Sequence, residues 1–150
     1  MPLDKAKLQS ALAELARHPG ASTADCSGQW ATAIADYMID VQPSATAAVR
    51  AAQEPLRAAL QAAFALSTAQ AVATAMDGAL MEYAVAVALG MATSGFTGAA
   101  PPSPLGFAAL FEPPFAATHE LAAGRFADAI DDWARTGSAT SAAGSTQGWL

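Results

Sequence analysis

The sequence predicts an all-α fold: a bundle of about five helices, with a proline- and phenylalanine-rich connector and an extended C-terminal tail. Three observations carry this. Alanine accounts for 42 of the 150 residues, far above ordinary usage, and it loses no side-chain entropy on entering a helix. Apolar residues recur at three- and four-residue spacing along most of the chain, the period of one helix face. Charged residues make up only 13%, about half the ~25% of an ordinary soluble domain, which leaves flat, weakly charged helix faces able to approach closely.

Asp4 is placed to cap a first helix over residues 4–18, in which Leu8, Leu12 and Leu15 share a face until His18-Pro19-Gly20 stops the pattern. Ser22 or Thr23 caps a second helix. Cys26, Trp30, Ile34, Tyr37, Met38 and Val41 face inward there, Asp36 and Asp40 lie largely off that face, and the helix ends before Pro43. Ser44 opens a third segment, where Val49, Leu56, Leu60 and Phe64 keep helical spacing through Glu54-Pro55. A proline inside a helix removes one hydrogen bond and clashes with the preceding turn, at a cost of about 3 kcal/mol, which predicts a kink or a break.

Ser67-Thr68 restarts the pattern. Val72, Met76, Leu80, Tyr83, Val87 and Met91 form a stripe over about five turns, the expected central helix. From Thr93 to Pro114 the composition turns to glycine and proline around a short apolar piece, Phe107 to Phe111, which predicts an extended connector with at most one helical turn. Thr118 caps the last helix, with Ala122, Phe126, Ala129, Ile130 and Trp133 inward and Thr136-Gly137 as its stop. The organisation is thus a bundle domain over 1–137, including a connector over 93–117, and a tail over 138–150.

Composition also bounds function. A net charge of -6 with seven scattered basic residues opposes binding to phosphate backbones, so no direct nucleic-acid partner is expected. One cysteine, Cys26, gives neither a disulfide nor a cysteine metal cluster and reads as a small core residue. The N-terminal stretch lacks an apolar signal core, so a secretory route is not expected. The most apolar run, Ala79 to Met91, holds Glu82 and falls short of the ~20 residues of a bilayer span, so no membrane span is expected.

No residue pattern names a catalytic, cofactor or metal site. His18 and His119 are far apart in sequence. Asp128, Asp131 and Asp132 lie between Arg125 and Arg135, as a solvated and partly ion-paired helix face does. Glu82, in the apolar stretch, reads as an interface or capping contact. Ser94-Gly95 and Gly144-Ser145 lack the spacing and the lysine of a phosphate loop.

The informative residues are aromatic. Phe96, Phe107, Phe111 and Phe115 crowd a connector in which they cannot all be helix core; they either pin it across the bundle or plug into a neighbouring subunit. Between Ala58 and Phe111 the only formal charges are Asp77 and Glu82, so a covered face is expected there. A tail this small and polar orders only when tied down, and a partner subunit holding Trp149 and Leu150 is the expected tie. The expected interface is therefore Phe96, Phe107, Phe111, Phe115, Trp149 and Leu150.

The stretch from Pro104-Leu-Gly-Phe-Ala-Ala-Leu-Phe through Thr118-His119-Glu-Leu and Trp133-Ala-Arg-Thr-Gly137 to the tail ending near tryptophan resembles small alanine-rich structural proteins of tailed bacteriophages. The resemblance covers about the last 45 residues, the rest only in composition. It implies a virion component of the neck, tail or baseplate region, made in the host bacterial cytoplasm. It further implies several copies joined to one another or to other virion proteins, with no catalytic residues or cofactor.

Two other readings compete. A secreted helical hairpin similar to type VII secretion substrates fits the alanine content, but the chain lacks Trp-x-Gly at a helix turn and neither Tyr37 nor Tyr83 is followed four residues later by an acid. An enzyme assembled from distant residues requires a deep polar pocket uniting Glu82, His119 and Asp128.

Overall fold

The structure, a computed structural model, describes residues 2–150. Five helices run in chain order as α1 (Lys5–Arg17), α2 (Thr23–Met38), α3 (Thr46–Phe64), α4 (Ala69–Gly90) and α5 (His119–Ala134). The predicted caps close four of them. Asp4, Ser22, Thr68 and Thr118 each accept a hydrogen bond from a backbone N–H of the first turn that has no partner inside the helix. At α3 the structure differs: Ala45, not Ser44, is the N-cap and gives no side-chain bond.

The helices pack as antiparallel neighbours. Asp36 of α2 pairs with Arg50 of α3 at 2.9 Å. Lys5 and Arg17, at the two ends of α1, reach Asp128 and Glu120 of α5. Where α4 crosses α3, Gly90 has no room for a side chain, because a Cβ there would lie 2.1 Å from that of Ala48. Leu8, Ile34, Val49, Leu60, Met76, Leu80 and Ile130 are among the buried residues of one shared core.

Pro55 does not break α3, which runs unbroken from Thr46 to Phe64. The proline is exposed and forfeits one hydrogen bond, while Val49, Ala52, Leu56 and Leu60 are buried. At ~1.5–3 kcal/mol for each large apolar side chain, that burial outweighs the ~3 kcal/mol cost of the proline.

The central helix is longer than the apolar run suggests. With the 3₁₀ turn at Met91–Ser94 it extends over Ala69–Ser94, long and apolar enough to cross a bilayer by length and composition; an 18-residue stretch of it has a mean hydropathy of 1.4, and 44% of that stretch is buried inside the molecule. Its buried stripe, from Ala73 through Met76, Leu80 and Tyr83 to Val87, packs into the core.

The connector and the tail find each other. β1 (Phe96–Ala99) pairs antiparallel with β2 (Ser138–Ser141), which pairs with β3 (Thr146–Gly148), in the order β1-β2-β3. This small sheet sits directly on α4, where a Cβ on Gly98 would lie 2.3 Å from the Ala88 carbonyl oxygen. The tail is therefore part of the bundle domain, and the chain itself provides the tie assigned above to a partner. Trp149 is 0% exposed, its ring lies against Gly137, and its Nε1–H donates to the Ser138 carbonyl at 3.1 Å. Gln42 and Leu150 exchange backbone hydrogen bonds at 3.0 and 3.3 Å, while the Leu150 side chain stays half exposed.

Candidate functional site

Of the two charges in the apolar half of the chain, Asp77 has an internal task. Its carboxylate accepts from the backbone N–H groups of Gly106 and Phe107, at 2.9 and 3.2 Å, and so closes the start of the connector's 3₁₀ turn at Phe107–Phe111. Glu82 is exposed on α4 and has no hydrogen-bond or ion-pair partner among the described residues.

The connector phenylalanines divide. Phe107 is fully buried, and with Phe111 it packs on Phe126 of α5 at ring separations of 6.0 and 5.8 Å; Trp30 of α2 meets the same ring edge-on at 5.6 Å. Phe96 is half-buried against the core. Trp133 adds a hydrogen bond from its Nε1–H to the Ser103 carbonyl at 2.7 Å. Three of the four phenylalanines thus pin the connector to its own bundle, and Phe107 is withdrawn from any interface by its burial. Phe115 alone stands out, 71% exposed, on a segment held by Arg125, whose guanidinium donates to the Pro114 carbonyl at 2.7 Å.

An apolar concavity lies along the seam of α3 and α4. Its volume is about 380 Å³, and Ala51, Pro55, Ala59, Ala86 and Leu89 line it with Glu82 and Tyr83. Beside it α4 presents Leu89, 71% exposed, and Val85, 46% exposed, to the outside. The Tyr83 hydroxyl is the one buried side-chain polar atom without a hydrogen-bond partner among the described residues. Burial, the largest influence on it, raises its pKa, which keeps it a neutral hydroxyl. Being inaccessible to solvent, it lies behind the groove wall rather than in the groove.

Asp131 departs from the solvated aspartate face expected of α5. It is only 6% exposed and accepts from the Tyr37 hydroxyl at 2.6 Å and from both Nε and Nη2 of Arg135 at 2.8 and 3.1 Å. Arg135 also donates to the Leu3 carbonyl at 3.0 Å, so three parts of the chain meet here. Burial by itself would raise the Asp131 carboxyl, but the bonds from Arg135 and Tyr37 outweigh it and hold the group below the usual aspartate range. Burial likewise raises Tyr37, reinforced by the hydrogen bond to Asp131. Every member is bonded, the arrangement of a structural network. Asp128 and Asp132 are exposed as expected, and Asp128 meets Lys5 at 2.8 Å.

Glu82, His119 and Asp128 are not united in a pocket. Glu82 borders the α3–α4 groove, His119 is exposed at the first turn of α5, and Asp128 is engaged by Lys5. His18 is exposed, 3.6 Å from Glu14. Cys26 is half-buried rather than core, with its Sγ–H donating to the Gly20 carbonyl at 3.4 Å. Among the described residues no three His, Cys, Asp or Glu side chains are grouped to hold a metal ion. Sequence reasoning missed the groove itself, because alanine at helical spacing signals close packing equally well on an inner or an outer face. The chain matches no protein-family model, no curated protein and no solved structure.

Proposed function

We propose that this chain is a non-enzymatic structural subunit of a multimeric assembly, of the kind found in the neck, tail or baseplate region of a tailed-phage virion. The observation that carries the reading is the outer face of α3 and α4, where Val85 and Leu89 stand exposed beside an apolar groove and Glu82 is the only charge on α4 from Gly78 to Gly90. Water contact with such a face is unfavourable, and burying it against another protein recovers roughly 25 cal/mol for each Å² covered. The resemblance of residues 104–150 to small phage structural proteins supports the particle type.

Light scattering over a concentration series tests the reading. The expected species is heavier than the 15.1 kDa of one chain and grows with concentration. A mass of one chain at every concentration overturns self-assembly.

A further inference from the structure

We propose that Phe115 of one copy seats in the α3–α4 groove of a second copy, with Arg125 of the first meeting Glu82 of the second. This rests on the assembly reading above and names its contact.

The knob and the groove are complementary in shape and in charge. Phe115 follows two prolines and is anchored by Arg125 through the Pro114 carbonyl, so its exposed ring is presented on a braced segment. A phenylalanine ring buries ~150 Å² or more when covered, and a groove of about 380 Å³ lined by alanine, proline and leucine has room for one. Arg125 is exposed and meets no carboxylate among the described residues; Glu82, on the groove's edge, meets no cation. The other charges close to either are already engaged, since Glu120 is held by Arg17 and Glu54 by Arg57. Glu112 also precedes the prolines, but Arg125 is the charged group in contact with the Pro-Phe segment itself.

The two surfaces are different parts of the chain, so the contact is heterologous. Each copy offers its knob to one neighbour and its groove to the other, which generates a ring where the rotation closes and a filament where it does not.

The test is sedimentation velocity on the full chain and on Phe115→Ala, Glu82→Arg, Arg125→Glu and the Glu82→Arg/Arg125→Glu pair, with circular dichroism confirming the fold of each. All three positions are exposed, so folding is expected to be unaffected. Phe115→Ala and each single charge reversal are expected to weaken self-association by about tenfold or more, and the double reversal to recover part of the loss. Oligomers that Phe115→Ala and Glu82→Arg leave intact overturn this contact while the assembly reading stands. A chain that is monomeric at every concentration overturns this contact and self-assembly together.

Discussion

The Tyr37 hydroxyl donates to Asp131 across 94 residues of chain at 2.6 Å, joining α2 to α5 at a point where both residues are buried. Replacing Asp131 by alanine strands that hydroxyl and frees Arg135, so Asp131→Ala is expected to cost about 2–3 kcal/mol of stability in urea unfolding. Tyr37→Phe leaves Asp131 its bonds from Arg135, and its expected cost is smaller, ~1 kcal/mol. In the Asp131→Ala background Tyr37→Phe should cost next to nothing, because the bond is already gone. Full additivity would mean that the two side chains do not act together.

Acid separates this network from the surface ion pairs. The Asp131 carboxyl in the folded chain lies below the ~3.9 of an unfolded aspartate, so the folded state binds the proton less readily. Its contribution is complete above about pH 4 and is lost as pH falls through the folded value. Glu54 and Glu120 are also lowered, by hydrogen bonds from Arg57 and Arg17, but they are solvent-exposed and contribute little. Asp131→Asn is therefore expected to flatten the fall in melting temperature below about pH 4. An unchanged slope would assign that fall to other carboxylates.

Trp149 fills a site made by the turn after α5 and by the small sheet. Trp149→Ala is expected to cost about 3–5 kcal/mol, the range for removing a large buried aromatic. Truncation before Ser138 should cost at least as much, since it also leaves β1 without its strand partner. A truncated chain that melts at the full-length temperature would show the tail to be an ornament on a finished bundle.

Two glycines make a matched pair. A Cβ on Gly98 runs into the Ala88 carbonyl, whereas one on Gly78, exposed on α4, meets nothing within 4 Å. Gly98→Ala should destabilise and push β1 away from α4. Gly78→Ala should stabilise by about 0.5–1 kcal/mol through helix propensity alone. Thermal unfolding of the two variants reads both signs, and equal effects would refute the close approach at Gly98.

The helices were legible in the sequence because their signals are local. Asp4, Ser22, Thr68 and Thr118 announce helix starts within one turn, and the apolar stripe of α4 lies within a single element. The sheet was not legible, since Ser138–Ser141 and Thr146–Gly148 hold no apolar residue but Ala139 and so show no alternation, and β2 takes its other partner, β1, some forty residues earlier. Asp131 looked like its neighbours Asp128 and Asp132 because only Tyr37, far away in sequence, distinguishes it. Of the candidate interface, the sequence singled out Phe115 along with Phe96, which packs on the core, and Phe107 and Phe111, whose partner, Phe126, sits on α5. It could not find the groove, where a surface is made from residues that elsewhere make a core.

The pairing of Gln42 with Leu150, next to the enclosed Trp149, bears on how the chain is made. Translation delivers α1 to α4 first, and their shared core stays open at one end until residue 149 has left the ribosome. Synthesis at ~5–20 residues per second leaves that end of the core unfilled for several seconds after α4 is made. A chain that stops before residue 149 therefore carries an unfilled tryptophan site, a feature by which cellular proteases can recognise it.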